Sequence, residues 1–147
     1  MLPAEETRQS INTVMGVYNF KPLHEGFSEE QARERIEAYF DLCVKEGMRP
    51  GVEGLAMAFK VSSRTLHNWK NGIYRKELQN VITEAFQFIA AYLETVSLSG
   101  KLNPATSCFL FKNWLGYKDT VTNEFVEKPS AWGCEFTNEQ IESLIED

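Results

Sequence analysis

The sequence is poor in the residues that form metal centres and disulfide frameworks. Its 147 residues include three cysteines and two histidines. The cysteines are far apart without C-x-x-C spacing, and neither histidine has a cysteine or carboxylate at ligand spacing. We therefore expect reduced thiols, no metal site and no cofactor.

Long apolar runs and nucleotide-binding motifs are also missing. No stretch approaches the roughly 18 consecutive apolar residues of a membrane span. Glu5 and Glu6 stand where a secretory signal would be basic. Neither G-x-x-x-x-G-K-[ST] nor G-x-G-x-x-G occurs, and no cysteine has a neighbouring base. We expect a cytoplasmic protein without a membrane partner, a small-molecule substrate or catalytic activity.

Positive charge is scarce overall but unevenly distributed. Fifteen basic and 21 acidic side chains give a net charge of -6, which at face value argues against a nucleic-acid partner. Residues 121–147 hold one basic and seven acidic side chains, so the rest of the chain is neutral in sum. Residues 52–77 hold five basic and two acidic side chains. This segment predicts a local basic surface, although the charge alone is weak evidence.

The spacing of apolar residues predicts an all-α protein. Residues 1–27 contain proline and glycine and show no sustained period, which predicts an irregular N-terminal arm. Ser28 and Gln31 have the capping-box pattern at the start of a helix over 28–46. Apolar residues follow in that helix at intervals of three and four.

Two short helices are predicted within residues 52–72, VEGLAMAFKVSSRTLHNWKNG. Leu55 and Phe59 lie on one face of the first, and Leu66 and Trp69 form the inward face of the second. A turn with a serine N-cap separates them. The spacing is that of a helix-turn-helix, whose second helix enters the major groove of DNA.

The second helix leaves a polar and basic face outward. Arginine can contact guanine and asparagine can contact adenine in the major groove, whereas serine at a helix start can bind phosphate. We predict a DNA-binding domain over 28–76, with double-stranded DNA as the partner. The predicted contact residues are Ser62, Ser63, Arg64, His67, Asn68, Lys70, Asn71, Arg75 and Lys76. The alternative is a packed pair of amphipathic helices with a merely solvated outer face.

A helical hairpin is predicted over 77–119. Its first helix, 78–98, is apolar over more of its circumference than one partner helix would cover, and Asn103 with Pro104 starts the second helix. The surplus of apolar surface predicts a homo-oligomer. The predicted interface residues are Ile82, Phe86, Ile89, Leu93, Phe109, Phe111 and Trp114. In the alternative, the N-terminal helices cover the whole surplus.

Residues 120–147 are predicted to be a linker followed by an acidic tail. Thr137 and Gln140 form a second capping-box pattern, but a helix of about ten residues is too short to be stable alone in water. We predict that this amphipathic segment docks on a basic partner groove through its apolar residues Phe136, Ile141, Leu144 and Ile145. The alternative is a solvated tail that docks on its own domain.

Residues 36–119 resemble the small terminase subunits of tailed bacteriophages. The run IEAYFDLCVKEGMRPGVEGLAMAFKVSSRTLHNWK is similar to their capped helix and helix-turn-helix. The run ELQNVITEAFQFIAAYLETVSLSGKLNPATSCFLFKNWLGYKD is similar to their oligomerisation hairpin, including the G-K-L-N-P loop and the closing L-G-Y-K-D. A helix-turn-helix is common to many regulators, so its combination with this hairpin is the more specific feature.

The resemblance implies a ring-forming protein that recognises viral DNA at the packaging initiation site. It also implies delivery of that DNA to a large terminase subunit, which holds the ATPase and nuclease. Arg64, His67, Asn68 and Lys70 would read DNA, and Ile82 to Leu115 would form the ring core. The tail from Phe136 to Asp147 would engage the large subunit or the portal.

Two other functions fit the same residues. A dimeric helix-turn-helix transcription regulator would bind a palindrome whose half-sites lie about one helical turn apart. A pure adaptor would use the helix-turn-helix only for packing and would show no salt-dependent DNA binding.

Overall fold

The computed structural model describes residues 2–118, and within them all regular structure is helical. Six α-helices follow one another, with a short 3-10 turn at Lys76–Leu78 before the fifth. They are α1 (Ala4–Tyr18), α2 (Glu29–Glu46), α3 (Val52–Ala58), α4 (Ser63–Lys70), α5 (Gln79–Leu98) and α6 (Pro104–Leu115). The prediction of an all-α fold is confirmed for residues 2–118. One compact unit ends at Leu115, and of the unit that starts at Gly116 the structure describes residues 116–118.

The predicted helix caps are present. The Ser28 hydroxyl accepts a hydrogen bond from the Gln31 backbone N–H at 3.2 Å, and the Gln31 side chain accepts one from the Ser28 N–H at 2.9 Å. At the start of α4 the Ser62 hydroxyl accepts from the Thr65 N–H at 3.2 Å. Gly47 ends α2 at φ 66°, a backbone conformation that favours glycine. These local signals fix where α2 and α4 begin and where α2 ends.

The prediction of an irregular arm over residues 1–27 was wrong for its first part, which forms α1. The inward face of α1 consists of Thr13, Gly16 and Val17, of which only Val17 is fully buried. A threonine and a glycine interrupt the inward face, and the helical period that the sequence prediction missed lies on the outward face, at Ile11, Val14, Met15 and Tyr18. Gly16 faces α2, where a Cβ would lie at an ordinary contact distance of 3.5 Å from the Leu42 side chain.

A buried arginine joins three segments around α2. Arg35 donates a hydrogen bond to the Ala58 carbonyl at 2.6 Å and another to the Lys21 carbonyl. Its guanidinium lies 5.1 Å from the centre of the Phe20 ring. Burial lowers the pKa of Arg35, yet a guanidinium keeps its charge in proteins. The contacts therefore anchor the end of α3 and the segment after α1 to the same side chain.

Tyr39 fixes the start of α3. Its hydroxyl donates to the Gly51 carbonyl at 3.2 Å and accepts from the Gly51 N–H at 3.0 Å. Burial is the main cause that raises the pKa of Tyr39, so the phenol stays protonated. The Trp114 indole of α6 packs on the same glycine, where a Cβ would lie 2.7 Å from the ring. The backbone at Gly51 therefore holds α2, α3 and α6 together.

The predicted inter-subunit residues of α5 lie inside the subunit. Ile82, Phe86, Ile89 and Leu93 are all buried in the common core, where α5 contacts α2, α4 and α6. The prediction that these four side chains bind a second copy was wrong, because the other helices cover that face. Phe111 and Trp114 pack partly against the same core, whereas Phe109 is exposed.

The segment Lys76–Leu98 is the one candidate membrane span found in residues 2–118. With a mean hydropathy of 1.2, it is long and apolar enough to cross a membrane. The core helix of a soluble protein can have the same length and hydropathy. Its inward face is buried in the core described above, and its Glu84 forms an ion pair with Arg33 of α2 at 2.8 Å. A core helix accounts for its composition.

We expect Gly54→Ala to destabilise the protein by about 1–3 kcal/mol, the usual cost of an overpacked core. A Cβ at Gly54 would lie 2.3 Å from the Tyr39 hydroxyl oxygen, which is itself held by two hydrogen bonds. Urea unfolding measures the change. Gly26→Ala is the matched control because its nearest neighbour would be 3.9 Å away. Equal stability of the two variants would contradict the tight α2–α3 packing.

Candidate nucleic-acid interface

The outer surface of α4 is positioned from beneath by three aromatic rings. Trp69 meets Phe27 edge-on with 5.8 Å between ring centres, and it meets Phe59 edge-on at 6.0 Å. Leu66, one turn earlier, is fully buried. Because these contacts fix the inward face of α4, its remaining side chains lie on a rigid support.

The connection between α3 and α4 is tight. Val61 N–H donates to the Ala56 carbonyl at 3.0 Å, and Lys60 has a φ of 61°, which is uncommon for a residue with a side chain. The Lys60 ammonium lies 4.5 Å from the Tyr18 ring centre and donates to the Tyr18 carbonyl. The turn that leads into α4 is thereby attached to the end of α1.

The predicted contact residues divide by exposure. Ser62, Arg64, Asn71 and Lys76 are exposed, whereas Ser63, Asn68 and Lys70 are half-buried. Ser62 is already engaged as the helix cap. The Lys70 ammonium lies 4.8 Å from the centre of the Phe86 ring, so a cation–π contact holds this charge at the edge of the surface.

His67 is turned partly toward the core. Its ring packs edge-on against Phe86, with 5.1 Å between centres. Desolvation lowers the pKa of His67, and the nearby charge of Lys70 lowers it further. The imidazole is therefore neutral at pH 7, and it can add a hydrogen bond but no charge to this surface.

The structure changes the role predicted for Arg75. Its guanidinium donates to the carbonyls of Phe27 and Glu25 and to the Glu77 carboxylate, the last at 2.6 Å. It also lies 4.6 Å from the centre of the Phe27 ring. The hydrogen bond from Arg75 is the main cause that lowers the pKa of Glu77. Arg75 thus joins the segment before α2 to the segment before α5, so we assign it to structure and not to DNA contact.

The structural role of Arg75 could not be predicted from the sequence, because its hydrogen-bond partners are distant in the chain. Two of the three hydrogen bonds of Arg75 end on backbone carbonyls about fifty residues away. Backbone acceptors leave no signature in a sequence. The same holds for Arg35, whose two carbonyl partners were equally invisible.

The predicted docking residues of the tail, Phe136, Ile141, Leu144 and Ile145, lie outside the described residues. Within residues 2–118 no three metal-ligating side chains come together. An apolar hollow of about 340 Å³ lies between α1, α2 and α3, with Tyr39 and Trp114 in its wall.

One comparison with known proteins gives a match. A family model described as DNA-packaging protein gp3 matches residues 24–123. The match begins just before α2 and includes α3 to α6, whereas α1 lies outside it. No curated protein and no solved structure matches the chain.

We expect Arg75→Gln to lower the free energy of unfolding by about 1.5–3 kcal/mol, the range for hydrogen bonds made by a charged group. The neighbouring Lys76→Gln should change it by less than about 0.5 kcal/mol, since Lys76 is exposed. Urea unfolding of both variants measures the difference. Two equally stable variants would contradict the structural role of Arg75.

Proposed function

The chain belongs to the DNA-packaging protein gp3 family, and on this premise we propose that it is the small terminase subunit of a tailed bacteriophage. In this role it recognises viral double-stranded DNA at the packaging initiation site. It delivers that DNA to the large terminase subunit in the host cytoplasm and performs no catalysis itself. The family match over two thirds of the chain is the observation that carries the proposal.

The surface of α4 is the proposed DNA-reading element. Arg64 is exposed there, Lys70 lies at its edge and Lys76 is exposed at the start of the 3-10 turn. Asn68 and Asn71 supply the amide groups that can contact adenine. The rigid aromatic support below Trp69 favours sequence reading, since a base contact needs a side chain held at a fixed position.

Arg64, Lys70 and Lys76 of a single subunit would bind DNA only weakly. A homo-oligomer repeats the same surface at every position, so that many modest contacts act together on one DNA molecule. We therefore propose that the protein assembles into a ring. Support comes from apolar side chains that remain exposed after the core has formed, among them Phe88, Leu98 and Phe109.

The acidic tail is the proposed contact for the large terminase subunit. Residues 121–147 carry a net charge of -6, which keeps them away from DNA and suits a basic groove on a protein. The large subunit would supply the ATPase and nuclease, in agreement with the lack of nucleotide-binding motifs in this sequence.

We expect Arg64→Ala to weaken DNA binding at least about tenfold, because every subunit that contacts DNA would lose an arginine contact of about 1–3 kcal/mol. Fluorescence anisotropy with double-stranded DNA, repeated at several salt concentrations, measures both affinity and salt dependence. Lys112→Ala is the matched control, because Lys112 is an exposed cation on α6.

The two variants should assemble like the unchanged protein. Equal affinity of Arg64→Ala and the unchanged protein would contradict the assignment of α4. A stable dimer that prefers a palindrome would instead favour a transcription regulator.

A further inference from the structure

Two exposed apolar surfaces lie on different sides of the compact unit. The first, the α1 stripe, consists of Ile11, Val14, Met15 and Tyr18. The second, the α2/α5 patch, consists of Phe40, Val44 and Phe88. We propose that the α1 stripe of one copy packs on the α2/α5 patch of the next copy. The inference rests on the proposed ring and names the two surfaces that form it.

The α1 stripe is continuous and faces solvent. At about 100° per residue, its four members occupy roughly 100° of the helix circumference. They lie opposite Thr13 and Val17, which face the core. Ile11 and Tyr18 are each 57% exposed and Met15 is 43% exposed. A surface helix normally has charged or polar residues at such positions.

The α2/α5 patch is built around an aromatic pair. The rings of Phe40 and Phe88 are 4.3 Å apart between centres, and Phe88 is 54% exposed. Val44 lies one turn after Phe40 and is 84% exposed. The pair is held in place by the packing of α5 on α2.

The two surfaces flank α2 on opposite sides. Leu42 faces α1, since it is the neighbour of Gly16, whereas Phe40 faces Phe88 of α5. Two residues along a helix correspond to about 200° of rotation. The α1 stripe and the α2/α5 patch therefore cannot be buried by one and the same partner surface.

This placement favours a second copy bound head to tail. A two-fold interface uses one self-complementary patch on each subunit, and two surfaces on opposite sides of α2 cannot both belong to one patch. Head-to-tail pairing buries both surfaces in every subunit, and it closes into a ring when the rotation between copies allows. Helix α1 lies outside the segment that matches the family, so one of the two proposed surfaces is not part of that segment.

The size of the surfaces suits a weak contact that is repeated. Since a large aromatic side chain can bury about 150–250 Å², the exposed fractions amount to roughly 300 Å² on each surface. The two surfaces together supply the apolar part of the contact, and about 57% of a typical interface is apolar. The whole contact, with its polar part included, would therefore bury roughly 1,000 Å². That reaches the lower limit for a specific interface, so a single contact can hold two copies together, and closure of a ring gives every subunit two such contacts.

Complementation of two variants tests the proposal. The stripe variant carries Ile11→Glu and Met15→Glu, and the patch variant carries Val44→Glu and Phe88→Glu. Native mass spectrometry of the full chain should show a ring for the unchanged protein and a monomer for each variant alone. An equimolar mixture should form a heterodimer of one copy each, because each variant keeps the surface that the other has lost.

Tyr74→Glu is the matched control, since Tyr74 is an 88% exposed aromatic outside both surfaces, and it should leave the ring intact. Circular dichroism should show unchanged helicity for every variant. If the unchanged protein forms a ring but either variant still assembles alone, or the mixture stays monomeric, head-to-tail pairing of these surfaces is wrong. If the unchanged protein is a monomer or a two-fold dimer, both this inference and the proposed ring are wrong.

Discussion

Burial of one face of α5 is the interaction on which the rest of the structure depends. Phe86 shows this most directly, because its buried ring contacts the common core on one side and His67 and Lys70 of α4 on the other. The proposed recognition helix is thereby positioned by the same helix that the sequence suggested for assembly. Phe86 thus joins the proposed recognition helix to the core of the same subunit.

Much of the fold could be predicted because its signals are local. Ser28 with Gln31, Ser62 with Thr65 and Gly47 each act within a few residues of a helix end, and all are present as expected. Helix α1 was missed because Gly16 and Thr13 interrupt its inward face, although Ile11, Val14, Met15 and Tyr18 have helical spacing on its outward face. Local patterns thus predicted α2 to α6, whereas α1 packs on α2 and α3 through an inward face that has Val17 as its one buried residue.

The candidate site could be predicted only in part. Exposed residues such as Arg64 and Asn71 lie where the helical spacing places them. The roles of Arg75 and His67 depend on backbone carbonyls and on a ring far away in the chain. The interface residues of α5 were predicted from an excess of apolar surface, but the excess remains at Phe88 and not at Ile82 or Ile89.

In the proposed function, assembly strengthens the DNA binding of a modest basic surface. The net charge of -6 lies in residues 121–147, so the rest of the chain is neutral in sum. In the proposed function, the cations on and next to α4 bind DNA strongly only when assembly repeats them. The most direct test measures DNA affinity by fluorescence anisotropy across a dilution series in which light scattering follows dissociation. We predict that DNA affinity falls at least tenfold as the assembly dissociates. Equally tight binding by the monomer would contradict the account.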